Sequence, residues 1–227
     1  MVTEHWKEFL PKPKLKHYVS SVIEVGFTQY GPTLVISGTL TTTSKVMFIQ
    51  EISVILERKR DGSRHLLNWF AFLPHSYNFQ GLKGIDLKMA AKFMVTPEPY
   101  KYHIVFSDQD RYAYIKPVLT TIKEEWGKIL QDHPHQNQEE LFAAFLQEPV
   151  AITSLKELQK MSYWETGEYD VIINVATVKP KQDFQVKKSF RMTEDDIRGL
   201  KHNPVIIAAD LCKQPLANYS FASPILT

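Results

Sequence analysis

The chain has 227 residues, 44% of them apolar and 23% charged, with a formal net charge of +2. That length can bury a sizeable core, and that composition excludes a disordered chain. So small a net charge excludes a phosphate-binding field unless lysines and arginines cluster. No apolar run approaches the roughly 20 residues of a membrane-spanning helix. Cys212 is the sole cysteine, so no internal disulfide can form. With no basic-then-apolar leader at Met1–Trp6, a cytoplasmic protein is the expectation.

Residues 1–16 read as an arm broken by Pro11 and Pro13 and made basic by Lys7, Lys12, Lys14 and Lys16. From His17 to Phe106 the pattern is repeatedly strand-like. Tyr18–Phe27 and Thr33–Thr42 are separated by a Gly-Pro turn, and Gly38 marks a bulge or close crossing within the second. Val46–Glu57 follows, apolar at its even positions except Gln50, with Met47, Ile49 and Ile55 among the odd ones. The charged turn Arg58–Arg64, which carries Asp-Gly, returns it as His65–Phe72, a hairpin signature. Beyond a turn-rich loop at 74–84 come Ile85–Val95 and then Tyr100–Phe106, the cleanest alternation in the chain.

After Asp110 the period changes to three and four. Val118, Leu119, Ile122, Trp126, Ile129 and Leu130 predict a helix opening near Pro117. Asn137 with Glu140 caps a second helix through about 147. Ser154 with Glu157 opens a third, and Pro149 separates the two. Glu168–Val178 and Phe184–Met192 form a closing strand pair, Thr193 with Asp196 caps a brief helix, and Val205–Leu211 is a short apolar run of either type. The expected fold is α+β, mainly β: an antiparallel sandwich over 17–107, a helical segment over 108–162, then the closing hairpin and short helix over 163–227. That last segment either completes the first domain or forms a second one.

The phrase Gly31-Pro32-Thr33-Leu34-Val35-Ile36-Ser37-Gly38, set before a long alternating strand, resembles immunoglobulin-like and arrestin-like sandwiches over residues 17–107. The resemblance implies an adaptor-like binding role. No functional residue is carried over from it, because the cysteine pair of antibody domains is absent and fold alone does not fix function.

No catalytic motif is present. His133 and His135 beside Asp132 lack the third and fourth ligands of a metal site, so no metal or cofactor is expected. No serine sits in a Gly-x-Ser-x-Gly elbow, and the glycines are too widely spaced for a phosphate loop. The pairs Glu124-Glu125 and Glu139-Glu140 and the run Glu194-Asp195-Asp196 lie at helix starts or wet faces, where solvent or the macrodipole accounts for them.

Two patches point to binding instead. The tip carries Arg58, Lys59, Arg60 and Arg64 around one acid, suited to an acidic partner. The second is aromatic: Trp69 and Phe70 lie on a strand apolar on both faces, and Tyr163 and Trp164 lie outside any regular element. We read the chain as a non-catalytic scaffold that binds a protein partner or a second copy of itself. An enzyme acting on a carbohydrate or small metabolite, in a cleft between sandwich and helices, is the runner-up. Nucleic-acid binding through the basic tip ranks third.

Overall fold

A computed structural model of the chain describes residues 14–72, 88–89, 91–178, 183–215 and 218–227. Residues 1–13 of the expected 1–16 arm, the loop at 74–84 and the turn Lys179–Gln182 therefore fall outside the described residues, while Leu15 and Lys16 of that arm already belong to the first strand. Ten strands and five helices are described. The strands are β1 (Leu15–Thr28), β2 (Gly31–Thr42), β3 (Met47–Arg58), β4 (Arg64–Phe72), β5 (Lys88–Met89), β6 (Phe93–Val95), β7 (Tyr100–Ser107), β8 (Gly167–Thr177), β9 (Asp183–Met192) and β10 (Phe221–Ala222). The helices are α1 (Gln109–Asp132), α2 (Gln138–Phe145), α3 (Pro149–Met161), α4 (Glu194–Leu200) and α5 (Asn203–Leu211).

The expected hairpin is present, with Ser53 opposite Asn68 and Glu57 opposite Arg64. Gly62 supplies the positive φ (68°) that its turn needs. All pairings are antiparallel, as the short strands without helical crossovers imply. The two-layer sandwich is corrected. Every strand belongs to one sheet, in the order β10-β1-β2-β7-β4-β3-β8-β9, with β5 beside β4 and β6 beside β3. Alternation shows that each strand buries one face, not which strands pair. A single sheet can satisfy the same pattern by curling until its inner face meets itself. The closing pair thus completes the first sheet, because β8 lies along β3 from Ile49–Thr177 to Arg58–Tyr169.

The inner face is filled by side chains, among them Ile23, Leu34, Ile36, Val54, Leu67, Ile104, Phe106, Val171 and Phe190. Residues 224–227 lie between the sheet's two edges. On the β1 side, Ile23 N–H donates to the Pro224 carbonyl (3.3 Å) and Leu226 N–H to the Ser21 carbonyl (2.7 Å). On the β9 side, Ser189 and Thr227 exchange both backbone hydrogen bonds, at 3.1 and 2.8 Å. The sheet is stitched shut at this level.

The helices make a second core from Ile115, Ile122, Trp126, Phe142, Phe145, Leu158 and Ile207, meeting the sheet at Phe27. Helix α1 begins at Gln109, eight residues before the expected start at Pro117. Asp108, not the proline, supplies the cap: its carboxylate accepts the Arg111 N–H at 2.9 Å. Pro117 lies within the helix. Pro149, three residues beyond the Leu146 cap of α2, opens α3 five residues before the expected Ser154 cap. Thr193 and Asp196 form the expected capping box, and the ambiguous run after Asn203 is helix.

Candidate protein-binding surface

The sequence-predicted basic residues lie together at the β3–β4 turn, and all four face internal acids. Arg58 is held between Asp61 (2.5 Å) and Glu165 (2.7 Å), with only 12% of its side chain exposed. Lys59 reaches Glu168 and Asp170, Arg60 reaches Glu165, and Arg64 reaches Glu57. The hydrogen bonds that Arg58 donates to Asp61 hold the guanidinium in its charged form, and reciprocally keep the Asp61 carboxyl well below the usual range. Arg58 likewise lowers Glu165. The tip is thus clamped onto the segment Glu165–Asp170, and its charge is largely answered within the chain.

The predicted aromatics are also accounted for by packing. Trp69 is 8% exposed and stands edge-on to Phe72 (4.8 Å) and Phe93 (5.5 Å). Phe70 packs on Tyr30 at 4.6 Å. Trp164 is buried, and its indole N–H donates to the Gly26 carbonyl at 2.7 Å. Tyr163 stacks on His65 with centroids 3.6 Å apart, with the Arg111 guanidinium 5.8 Å from its ring centre. Its hydroxyl is enclosed without a hydrogen-bond partner, and burial raises its pKa well above the ordinary tyrosine range. Phe70, through Tyr30 and Tyr112, and Tyr163, beside Arg111, seal the junction between the sheet and the N-terminus of α1.

The opposite end of the sheet exposes a set of apolar side chains that the alternation pattern missed. In β3, Met47 and Ile49 point inward, and so do Ile52, Val54 and Leu56. Odd positions give way to even ones because the β3–β8 register slips between Ile49 and Glu51, leaving Gln50 as the extra residue of a bulge. The slip turns Val46 and Phe48 outward, each 44% exposed. Met94, directly across from Phe48, is 56% exposed, and Val178, whose N–H donates to the Phe48 carbonyl, is 38% exposed. The signal was present as apolar Met47 and Ile49 on the odd side and polar Gln50-Glu51 at the crossover.

Elsewhere, a groove of about 420 Å³ lies between α1 and α3, lined by Pro117, Val118, Pro149, Val150, Ser154 and Glu157 among others. It brings one carboxylate and no histidine. Among the described residues no three histidine, cysteine or acidic side chains stand close enough to hold a metal ion. No described helix is long and apolar enough to cross a membrane. Cys212 is buried, and burial pushes its thiol up to about 12. No family model, curated protein or solved structure matches this chain.

Proposed function

We propose that the chain is a non-catalytic binding module that docks a protein on the outer face of its sheet, at the end carrying Phe48. The observation that supports this most directly is the cluster of Phe48 on β3 and Met94 on β6 with Val46 and Val178, which flank β3 and β8, all exposed. The bulge at Gln50 puts Phe48 there, although a regular strand would have turned it inward. Contiguous exposed apolar side chains of this kind mark interaction surfaces. A second copy is the simplest occupant, because two-fold pairing sets the same patch against itself.

The answered charges of the Arg58–Arg64 tip do not favour a polyanion. A cytoplasmic setting belongs to the same reading. Light scattering over a range of concentrations tests it. The native chain is expected to form a dimer, and Phe48→Ser with Met94→Ser to remain monomeric with a nearly unchanged Tm, since both side chains are half exposed. A native chain that stays monomeric throughout would overturn this reading of the patch.

A further inference from the structure

The two edges joined by residues 224–227 are not joined along their whole length. Below that level β1 runs on through Leu15–Ser20 and β9 through Asp183–Lys188, and no described residue pairs with either edge there. The directions of the strands fix what such a seam accepts. Residues 224–227 run antiparallel to β1 and to β9, so the two edges are parallel to each other. At Ser21 and Ser189 one strand fits between them, which sets the edges about 9–10 Å apart, twice the interstrand spacing.

Backbone groups alternate along a strand, and the partners of Ser21, Ile23 and Ser189 show which positions face the seam. On β1 these are Leu15, His17 and Val19, and on β9 they are Asp183, Gln185 and Lys187. The inner face is also thinner here. Val19, Phe184 and Val186 belong to the core but are only partly buried, whereas Ile23 and Phe190, beside the filled part, are 1% and 3% exposed.

The charge along both edges narrows the occupant. On the outer side, Lys14 and Lys16 precede and line β1 and Lys187 lines β9, while Lys188 alternates to the inner side with Phe184, Val186 and Phe190. The acid on these stretches is Asp183 at the far end, and Lys187 is answered by Asp170 at 2.8 Å. Two lysine-bearing edges repel the same edge of a second copy. They favour an extended segment with acids on its outer side and apolar residues on its inner side.

We propose that the seam between Leu15–Ser20 and Asp183–Lys188 takes up an acidic, apolar-alternating peptide as an added strand antiparallel to both edges. The inference rests on the reading of the chain as a binding module, but on a different surface from the Phe48 patch.

Fluorescence anisotropy with the full chain and labelled peptides tests it. The probes are alternating Val-Glu, alternating Val-Lys, and Val-Glu with a central proline. The Val-Glu peptide is expected to bind saturably and at least about tenfold more tightly than the other two, and to weaken as salt rises. Reversing Lys14 and Lys16 to Glu is expected to switch the preference to Val-Lys. Gln185→Pro removes a seam-facing N–H from an edge strand that tolerates proline, and is expected to abolish binding with little change in Tm.

Absence of saturable Val-Glu binding to the native chain overturns the proposal. So does binding that ignores both the charge reversal and Gln185→Pro. Peptide that binds only after residues 1–13 are removed, or only by dissociating a dimer, assigns the seam to the chain itself or to a second copy, and also overturns it. The Phe48→Ser, Met94→Ser chain is expected to keep peptide binding, so failure of the patch and failure of the seam are separate results.

Discussion

His17 sits on the inner face of β1 with its Nε2 hydrogen-bonded to the Tyr102 hydroxyl at 2.5 Å and its Nδ1 enclosed without a partner. Gly38 makes this pair sterically feasible. A Cβ there would lie 2.4 Å from the Tyr102 hydroxyl oxygen and 2.5 Å from the Tyr18 carbonyl. Glycine at this position was legible in the sequence as a bulge or crossing. The structure shows the close crossing and not a bulge of β2, which keeps unbroken register with β7 through Gly38; the nearby register shift, between Val19 and Ile23, belongs to β1. Burial lowers the His17 pKa to about 4, and burial raises that of Tyr102. The native state therefore resists protonating His17, while the unfolded chain takes a proton near 6.5. The effect on stability is absent above that pH and grows as pH falls toward 4, by at most about 3 kcal/mol. Urea unfolding of the native chain between pH 7 and 4.5 is expected to show this loss, and His17→Gln to show a flatter profile. Identical profiles would mean that the ring is solvated.

At the scale of elements, the helix ends separate what local chemistry announces from what it hides. Thr193 with Asp196 is read from spacing and made as a full capping box, whereas of the Asn137–Glu140 pair the cap alone is made, Asn137 accepting from the Glu139 N–H. Pro117 reads as a first-turn proline and so masks Asp108, yet a proline can sit inside a long helix whose remaining bonds hold it. Asp108→Ala is expected to cost about 1 kcal/mol in chemical denaturation, and Asp108→Ser to recover most of it. Equal losses for the two would show that the carboxylate serves the packing around Tyr163 and not the cap. The β3 strand teaches the complementary point. Its apolar residues announced a buried strand, but the Gln50 bulge redistributed them between core and surface, and only pairing with β8 shows on which side Phe48 emerges.

For the whole molecule the decisive contacts are the fewest. Residues 224–227 bury Leu226 and make four backbone hydrogen bonds to the two edges. Burying a leucine contributes about 2 kcal/mol and each bond about 1 kcal/mol. Ordering four residues costs about 4–8 kcal/mol, so the net is small. Deleting residues 224–227 is therefore expected to leave a folded chain whose Tm falls by a few degrees and which binds a hydrophobic dye at the opened edges. Complete unfolding would mean that the stitch is required for the sheet to form at all.

The sequence by itself determined that the protein is rich in antiparallel strands, that three of its five described helices lie within residues 108–162, and where most strands begin and end. Those are properties of period and capping, set within a few residues of chain. It could not say that one curled sheet replaces two layers, that the cations of the Arg58–Arg64 tip are met by Glu57, Asp61, Glu165, Glu168 and Asp170, or that Phe48 faces outward. Each of these depends on which distant strands become neighbours and in what register, and tertiary packing alone chooses that.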